Sequence, residues 1–153
     1  MSVEIVEISI GEVDVIKPLW EKLYELQRRN STYFLECYGE LTFEERMKRL
    51  YDKVGKGLVR IDAVRDNNHV DRYVGYCISS VTGVEGEVDS IFLEEEYRGI
   101  GIGDMLMENA LRWIDTNNAK SIKISVIYGN DAVLPFYEKH GFYPRSYVLY
   151  RRD

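Results

Sequence analysis

Arg98-Gly99-Ile100-Gly101-Ile102-Gly103 stands between an apolar run that reads as a strand, Val88 to Leu93, and a periodic apolar segment that reads as a helix, Met105 to Ile114. Glycines let a backbone turn freely and pass close to a bulky anion, so several N–H groups converge where a helix N-terminus adds its partial positive charge. That arrangement suits a pyrophosphate, and the ligand it implies is nucleotide-like. The residues that follow exclude two familiar phosphate loops. A Walker-type loop ends in Gly-Lys-Ser/Thr, whereas Gly103 is followed by Asp104-Met105. A dinucleotide fingerprint requires a third glycine three residues after the second, and counting from Gly99 or from Gly101 that place holds Asp104 or Leu106.

Further along the chain runs Asn130-Asp131-Ala132-Val133-Leu134-Pro135-Phe136-Tyr137-Glu138-Lys139-His140-Gly141-Phe142. The first segment, with Arg98, Gly101 and Gly103 in the defining places, matches the Arg/Gln-x-x-Gly-x-Gly/Ala signature of the Gcn5-related N-acetyltransferases. The second resembles the same family's signature of Asn, then Phe-Tyr, then Gly-Phe, in the expected order. The resemblance covers residues 72 to 152 and only weakly the first half.

The resemblance implies an α/β (α+β) fold in a single domain over residues 1–153, with a mixed, mostly antiparallel sheet, a central parallel pair that splays, and helices on both faces. It implies acetyl-CoA as co-substrate, with no metal, and transfer of its acetyl group to a primary amine by direct attack in a ternary complex. The main chain of Gly99, Ile100, Gly101, Ile102, Gly103 and Asp104 would then grip the pyrophosphate, with Arg98 adding charge. A main-chain N–H among Ile91, Phe92 and Leu93 would meet the developing oxyanion, a donor typically worth ~3 kcal/mol of barrier. Tyr137 occupies the place of the general acid for the leaving thiolate, close to the cofactor sulfur. Asn130 looks like the family asparagine that contacts the pantetheine or phosphate arm, and it also suits a helix N-cap.

An alkylamine with a pKa near 10.4 leaves less than about one molecule in a thousand as free base at pH 7, so its proton needs an acceptor. Glu87 and Asp89 lie two apart on the strand entering the site, hence on one face, where they could act through water or form a solvated strand face. The family's habit of a glutamate early in this strand favours Glu87. The acceptor pocket implied by the resemblance falls on Tyr33, Phe34 and Tyr38, with Tyr143 and Tyr147 near; an aromatic lining suits an amine through cation–π contact, and plain core packing equally well. A small amine and a protein N-terminus both fit: Leu-Pro-Phe-Tyr is similar to arylalkylamine acetyltransferases, and the single short domain to ribosomal-protein alanine acetyltransferases. A non-catalytic acyl-CoA-binding module that regulates a partner is the rival reading, against which Tyr137 argues.

The chain that must position these groups has 153 residues, enough for one self-sufficient core. Its net charge of −6 argues against general nucleic-acid binding and fits cationic acceptors. No apolar run approaches the length of a membrane helix, and the start Met1-Ser2-Val3-Glu4 has no signal architecture, so a cytoplasmic location is expected, with a homodimer left open. Cys37 and Cys77 stand apart without a CxxC or a histidine pair, which reads as two reduced thiols.

Alternation over Val3 to Ile8 predicts a strand, and Ile16, Leu19, Trp20, Leu23, Tyr24 and Leu26 a helix ending near Arg29. Thr42 and Glu45 form a capping-box pattern opening a second helix that stops at Gly55. Leu58 to Val64 and Tyr73 to Val81 read as an antiparallel pair about Asp66-Asn67-Asn68-His69, and Glu87 to Leu93 as the strand leading into the glycine loop. The next helix is expected to pack through Met105 and Leu106, Asn109 and Ala110, Trp113 and Ile114. A strand from Ile122 to Val126 completes a parallel crossover, a last helix runs to His140, and Tyr147 to Arg151 is expected to close the sheet. Pro135 requires that last helix to begin near Val133 or to bend. His140 reads as a helix-terminal residue, and Glu94-Glu95-Glu96 as a solvated loop.

Overall fold

A computed structural model describes residues 2–34, 41–69 and 71–152. Strands β1 (Val3–Ile8), β2 (Leu58–Asp66), β3 (Tyr73–Thr82), β4 (Glu85–Leu93) and β5 (Ser121–Ile124) form one sheet in that order. The first three pairings are antiparallel and β4–β5 is parallel. The helices are α1 (Lys17–Asn30), α2 (Phe43–Lys56), α3 (Ile102–Thr116) and α4 (Leu134–Lys139).

Each helix starts where the chain supplies a start. A 3-10 turn over Ile10–Ile16 delivers the chain to α1, whose first turn holds Pro18, the place where a missing N–H costs nothing. Thr42 Oγ1 accepts from the Glu45 N–H at 3.2 Å and caps α2. Pro135 sits in the first turn of α4, which settles the proline conflict: the helix begins at Leu134 and is short.

The sheet separates two cores. Leu19 and Trp20 of α1 and Phe43, Met47 and Leu50 of α2 pack with Ile61, Tyr76, Ile78 and Phe92 on one face. On the other, Ile102, Leu106, Met107, Ala110 and Ile114 of α3 pack with Cys77, Val81 and Val88, and Phe136 and Tyr137 of α4 lie against them. Leu106, Ala110 and Ile114 are buried as expected, whereas Met105 turns to solvent at 52% exposure and Met107 takes its place in the core. The helix starts at Ile102, three residues earlier than its clearest apolar repeat, so Ile102 rather than Met105 begins the buried row.

Two irregularities shape the site end of the sheet. Opposite β3, Ile78 faces Ser90 and Ser79 faces Val88, so Asp89 is the extra residue of a β-bulge. The β4–β5 ladder runs from Glu85 with Ser121 to Val88 with Ile124 and goes no further, so β4 from Asp89 onward parts from β5. The parallel pair splays as expected, but at the edge of the sheet and not at its centre, because no strand pairs beyond β5 among the described residues. The expected closing strand at Tyr147 to Arg151 does not form. Tyr147, Val148, Leu149 and Tyr150 stay at least 75% exposed, and β5, only four residues long, offers them a short edge to pair with.

Candidate active site

The glycine loop turns the chain from β4 into α3. Gly99 and Gly101 have φ of +80° and +91°, a region L side chains rarely adopt, and the space where a Cβ would sit on either is open. Gly101 is the N-cap of α3 and no side chain caps the helix. Met105 N donates to Gly101 O at 3.1 Å, so the amides of Ile102, Gly103 and Asp104 fall in the first turn, which lacks intrahelical acceptors. Gly103 serves packing as well: a Cβ there would meet the Phe136 ring at 3.3 Å.

Arg98 is already engaged. Its Nε donates to Leu93 O at 2.7 Å and its guanidinium lies 5.6 Å from the centre of the Phe92 ring, tying the loop to the end of β4. Glu94 N donates to Val74 O at 2.8 Å. Backbone groups alternate sides along a strand, so Phe92 faces β3 as Glu94 does, and Ile91 and Leu93 present theirs to the opening between β4 and β5.

On the α1–α2 side of that opening stand the two carboxylates, on one face as expected. Lys53 of α2 reaches both: it pairs with Asp89 Oδ1, and its Nζ lies 3.3 Å from Glu87 Oε1 and 3.4 Å from Ser80 Oγ. Arg46, seven residues earlier on the same helix stripe, donates to Asp89 O at 3.4 Å. The Asp89 side chain is fully buried, and its Oδ2 has no hydrogen-bond partner among the described residues. Glu87 keeps 21% exposure and has a second cation, Lys123 of β5, at 3.8 Å. Of the two, Glu87 is the one in touch with solvent.

Tyr137 lies on the α3–α4 side. Burial pushes its phenol up to about 12, with a smaller push from Cys77, so it keeps its proton across the neutral range. Phe136 is its neighbour in the same core, edge-on at 5.6 Å. The Cys77 thiol, itself pushed up to about 12 by burial, remains a packing group.

Asn130 is buried, at 6% exposure, and stands before a 3-10 turn, Asp131–Val133, without capping it through its side chain. Its Oδ1 instead accepts from Asn30 Nδ2 at 3.1 Å, so it ties this loop to the end of α1. Tyr33 stacks on Tyr128 at 5.7 Å, Tyr128 meets Tyr147 at 6.3 Å, and Phe34 meets Tyr150 at 6.4 Å. Tyr33, Tyr128 and Tyr147 thus share one exposed aromatic surface, and Phe34 and Tyr150 form a separate pair. Tyr143 is 71% exposed, and Tyr38 lies outside the described residues. Among the described residues no cluster of His, Cys, Asp and Glu could hold a metal ion, and no helix is long and apolar enough to cross a membrane.

The profile of the acetyltransferase (GNAT) family matches residues 20–142. The chain belongs to the GNAT family. Other GNAT proteins resemble it in sequence or in shape. It is 32% identical over 87 residues to N-alpha-acetyltransferase 30 of Schizosaccharomyces pombe, a match spanning 52% of this chain and 58% of that relative, so the chain covers less than two thirds of it. The PaiA N-acetyltransferase of Thermoplasma acidophilum, solved in complex with coenzyme A, shares the fold with a TM-score of 0.75 at 16% identity, over 97% of this chain and 94% of that one. The ribosomal-protein-alanine N-acetyltransferase of Brucella melitensis biovar Abortus 2308 shares it with a TM-score of 0.66 at 17% identity, over 99% and 100% of the two chains.

Lys53, Arg46, Tyr128 and Tyr150 were not legible as site residues. Arg46 and Lys53 did carry a signal: two cations seven apart on the apolar side of an amphipathic helix face the sheet, and buried cations need acids to meet.

Proposed function

We propose that this GNAT protein transfers an acetyl group from acetyl-CoA to a primary amine, and that the amine is the N-terminus of a polypeptide. The observation that carries the reading is the opening between β4 and β5, with the uncapped N-terminus of α3 beyond it, a solvent-touching Glu87 on one sheet face and a protonated Tyr137 on the other. The open glycine turn and first-turn amides fit a pyrophosphate; Gly99 to Asp104 would hold it, and bound acetyl-CoA supplies the activated acyl carbon. The N-alpha-acetyltransferase of Schizosaccharomyces pombe supports a polypeptide acceptor, as does the open aromatic surface of Tyr33, Tyr128 and Tyr147, along which a chain could lie.

In this reading Glu87 takes the amine proton through water, which leaves a nucleophile with a free lone pair. A main-chain N–H of Ile91 or Leu93 meets the oxyanion, and Tyr137 gives its proton to the departing thiolate. Arg98 holds β4 and the loop in register while this happens. Release of free thiol from acetyl-CoA with a panel of short peptides and small amines tests the proposal. Turnover on peptides with a free N-terminus is expected and should vanish when that N-terminus is blocked. Saturable acetyl-CoA binding without turnover on any amine would leave a binding module instead.

A further inference from the structure

We propose that Lys139 and His140 belong to the phosphate site: Lys139 cancels the charge of Asp104 and His140 holds the carboxylate by a hydrogen bond, which keeps the first turn of α3 attractive to an anion, and by the same contacts they lock α4 to the loop. The inference rests on the reading of Gly99 to Asp104 as the seat of the coenzyme A phosphates.

Asp104 is the third residue of α3, inside the turn whose amides would face the phosphates. A carboxylate there suits the helix dipole of the empty protein but competes with any anionic ligand for the same field. Lys139 Nζ lies 2.8 Å from Asp104 Oδ1 and 3.1 Å from Oδ2, and His140 Nε2 lies 2.8 Å from Oδ1. Lys139 first and His140 second hold the Asp104 carboxyl below the usual carboxylate range, so it stays ionised. An ionised carboxylate only accepts, which places the hydrogen on His140 Nε2.

The same two residues grip the aromatic ring between them and the loop. His140 meets Phe136 at 5.1 Å, Lys139 Nζ stands 5.4 Å from that ring's centre, and the ring rests on Gly103. The contact thus runs unbroken from Asp104 through α4 back to the residue beside it, and Tyr137 rides on that helix. In a chain of net charge −6, an uncancelled acid beside a polyphosphate would add to a repulsion already present.

The test is a cycle of coenzyme A affinities by titration calorimetry at low salt. K139M/H140Q is expected to weaken binding by about three- to tenfold, the size of an unscreened unit charge roughly one helical turn or less away in a water-like medium. Adding D104N to that pair is expected to restore the wild-type affinity, and pantetheine, which has no phosphates, should bind all variants alike. No weakening, a loss that D104N does not repair, or an equal loss with pantetheine would overturn the inference. If the pair does not fold, K139M alone carries the same cycle, since Lys139 is 57% exposed. A wild-type protein that takes up no coenzyme A would instead sink the underlying reading.

Discussion

Tyr137 and Asp66 show how one environment sets a single proton. Burial keeps the Tyr137 phenol protonated, which a donor to a thiolate requires. Tyr137→Phe should therefore lower kcat by about 10²-fold, the lower end for general acid catalysis, while the Kd for acetyl-CoA stays within about a factor of two; pre-steady-state thiol release and calorimetry separate these. At the far end of β2, Tyr97 OH donates to Asp66 Oδ2 at 2.6 Å and Asn68 N–H to Oδ1 at 2.8 Å, and together they hold the Asp66 carboxyl below its ordinary range. A carboxyl depressed in the folded state stabilises the fold in full above its unfolded value of about 3.9 and loses that contribution as pH falls through the folded value. Tyr97→Phe should lower Tm at pH 7, and the gap to wild type should close below about pH 4 in a thermal melt series.

Helix α2 and strand β4 depend on each other through Lys53. With a fully buried Asp89 as its partner, Lys53→Met leaves a carboxylate stranded, which typically costs about 3–5 kcal/mol and should appear as a lower urea midpoint at unchanged slope. Lys53→Met/Asp89→Leu should recover much of it, because apolar groups of similar size replace buried pairs at little cost. The sequence made α2 legible through its cap and period, and β4 through its apolar run, but not the bulge that turns Asp89 toward Lys53. A bulge inserts one residue without changing composition or period in any detectable way. The same limit hid the fate of Tyr147 to Arg151: alternation marks a segment able to pair, and whether it pairs depends on the edge it meets.

Two cores on either side of one sheet follow from patterning alone, since each long helix carries an apolar stripe and the inner strands send apolar residues to both faces, Ile61, Ile78 and Phe92 to one and Val64, Cys77 and Val88 to the other. Relations across the chain were hidden, because no local pattern relates Asn30 to Asn130 or Asp104 to His140. Net charge is also a property of the entire protein. At −6 it should favour acceptor peptides with Lys near the free N-terminus, so their KM should rise between about 0.02 and 0.5 M salt while that of neutral peptides holds; initial rates at each ionic strength decide it.

The early end of the β4–β5 ladder leaves the main-chain N–H groups of Ile91 and Leu93 turned away from β3 with no strand alongside among the described residues, while Phe92 is tied inward to β3 and Leu93 O is held by Arg98. A slender guest bearing peptide-like linkages could lie in that slot as though it were one more strand, bonded edge to edge. Deuterium uptake would register it: amides 91 and 93 should exchange quickly in the free protein and slow once the thioester is added, whereas amide 92 should be slow throughout.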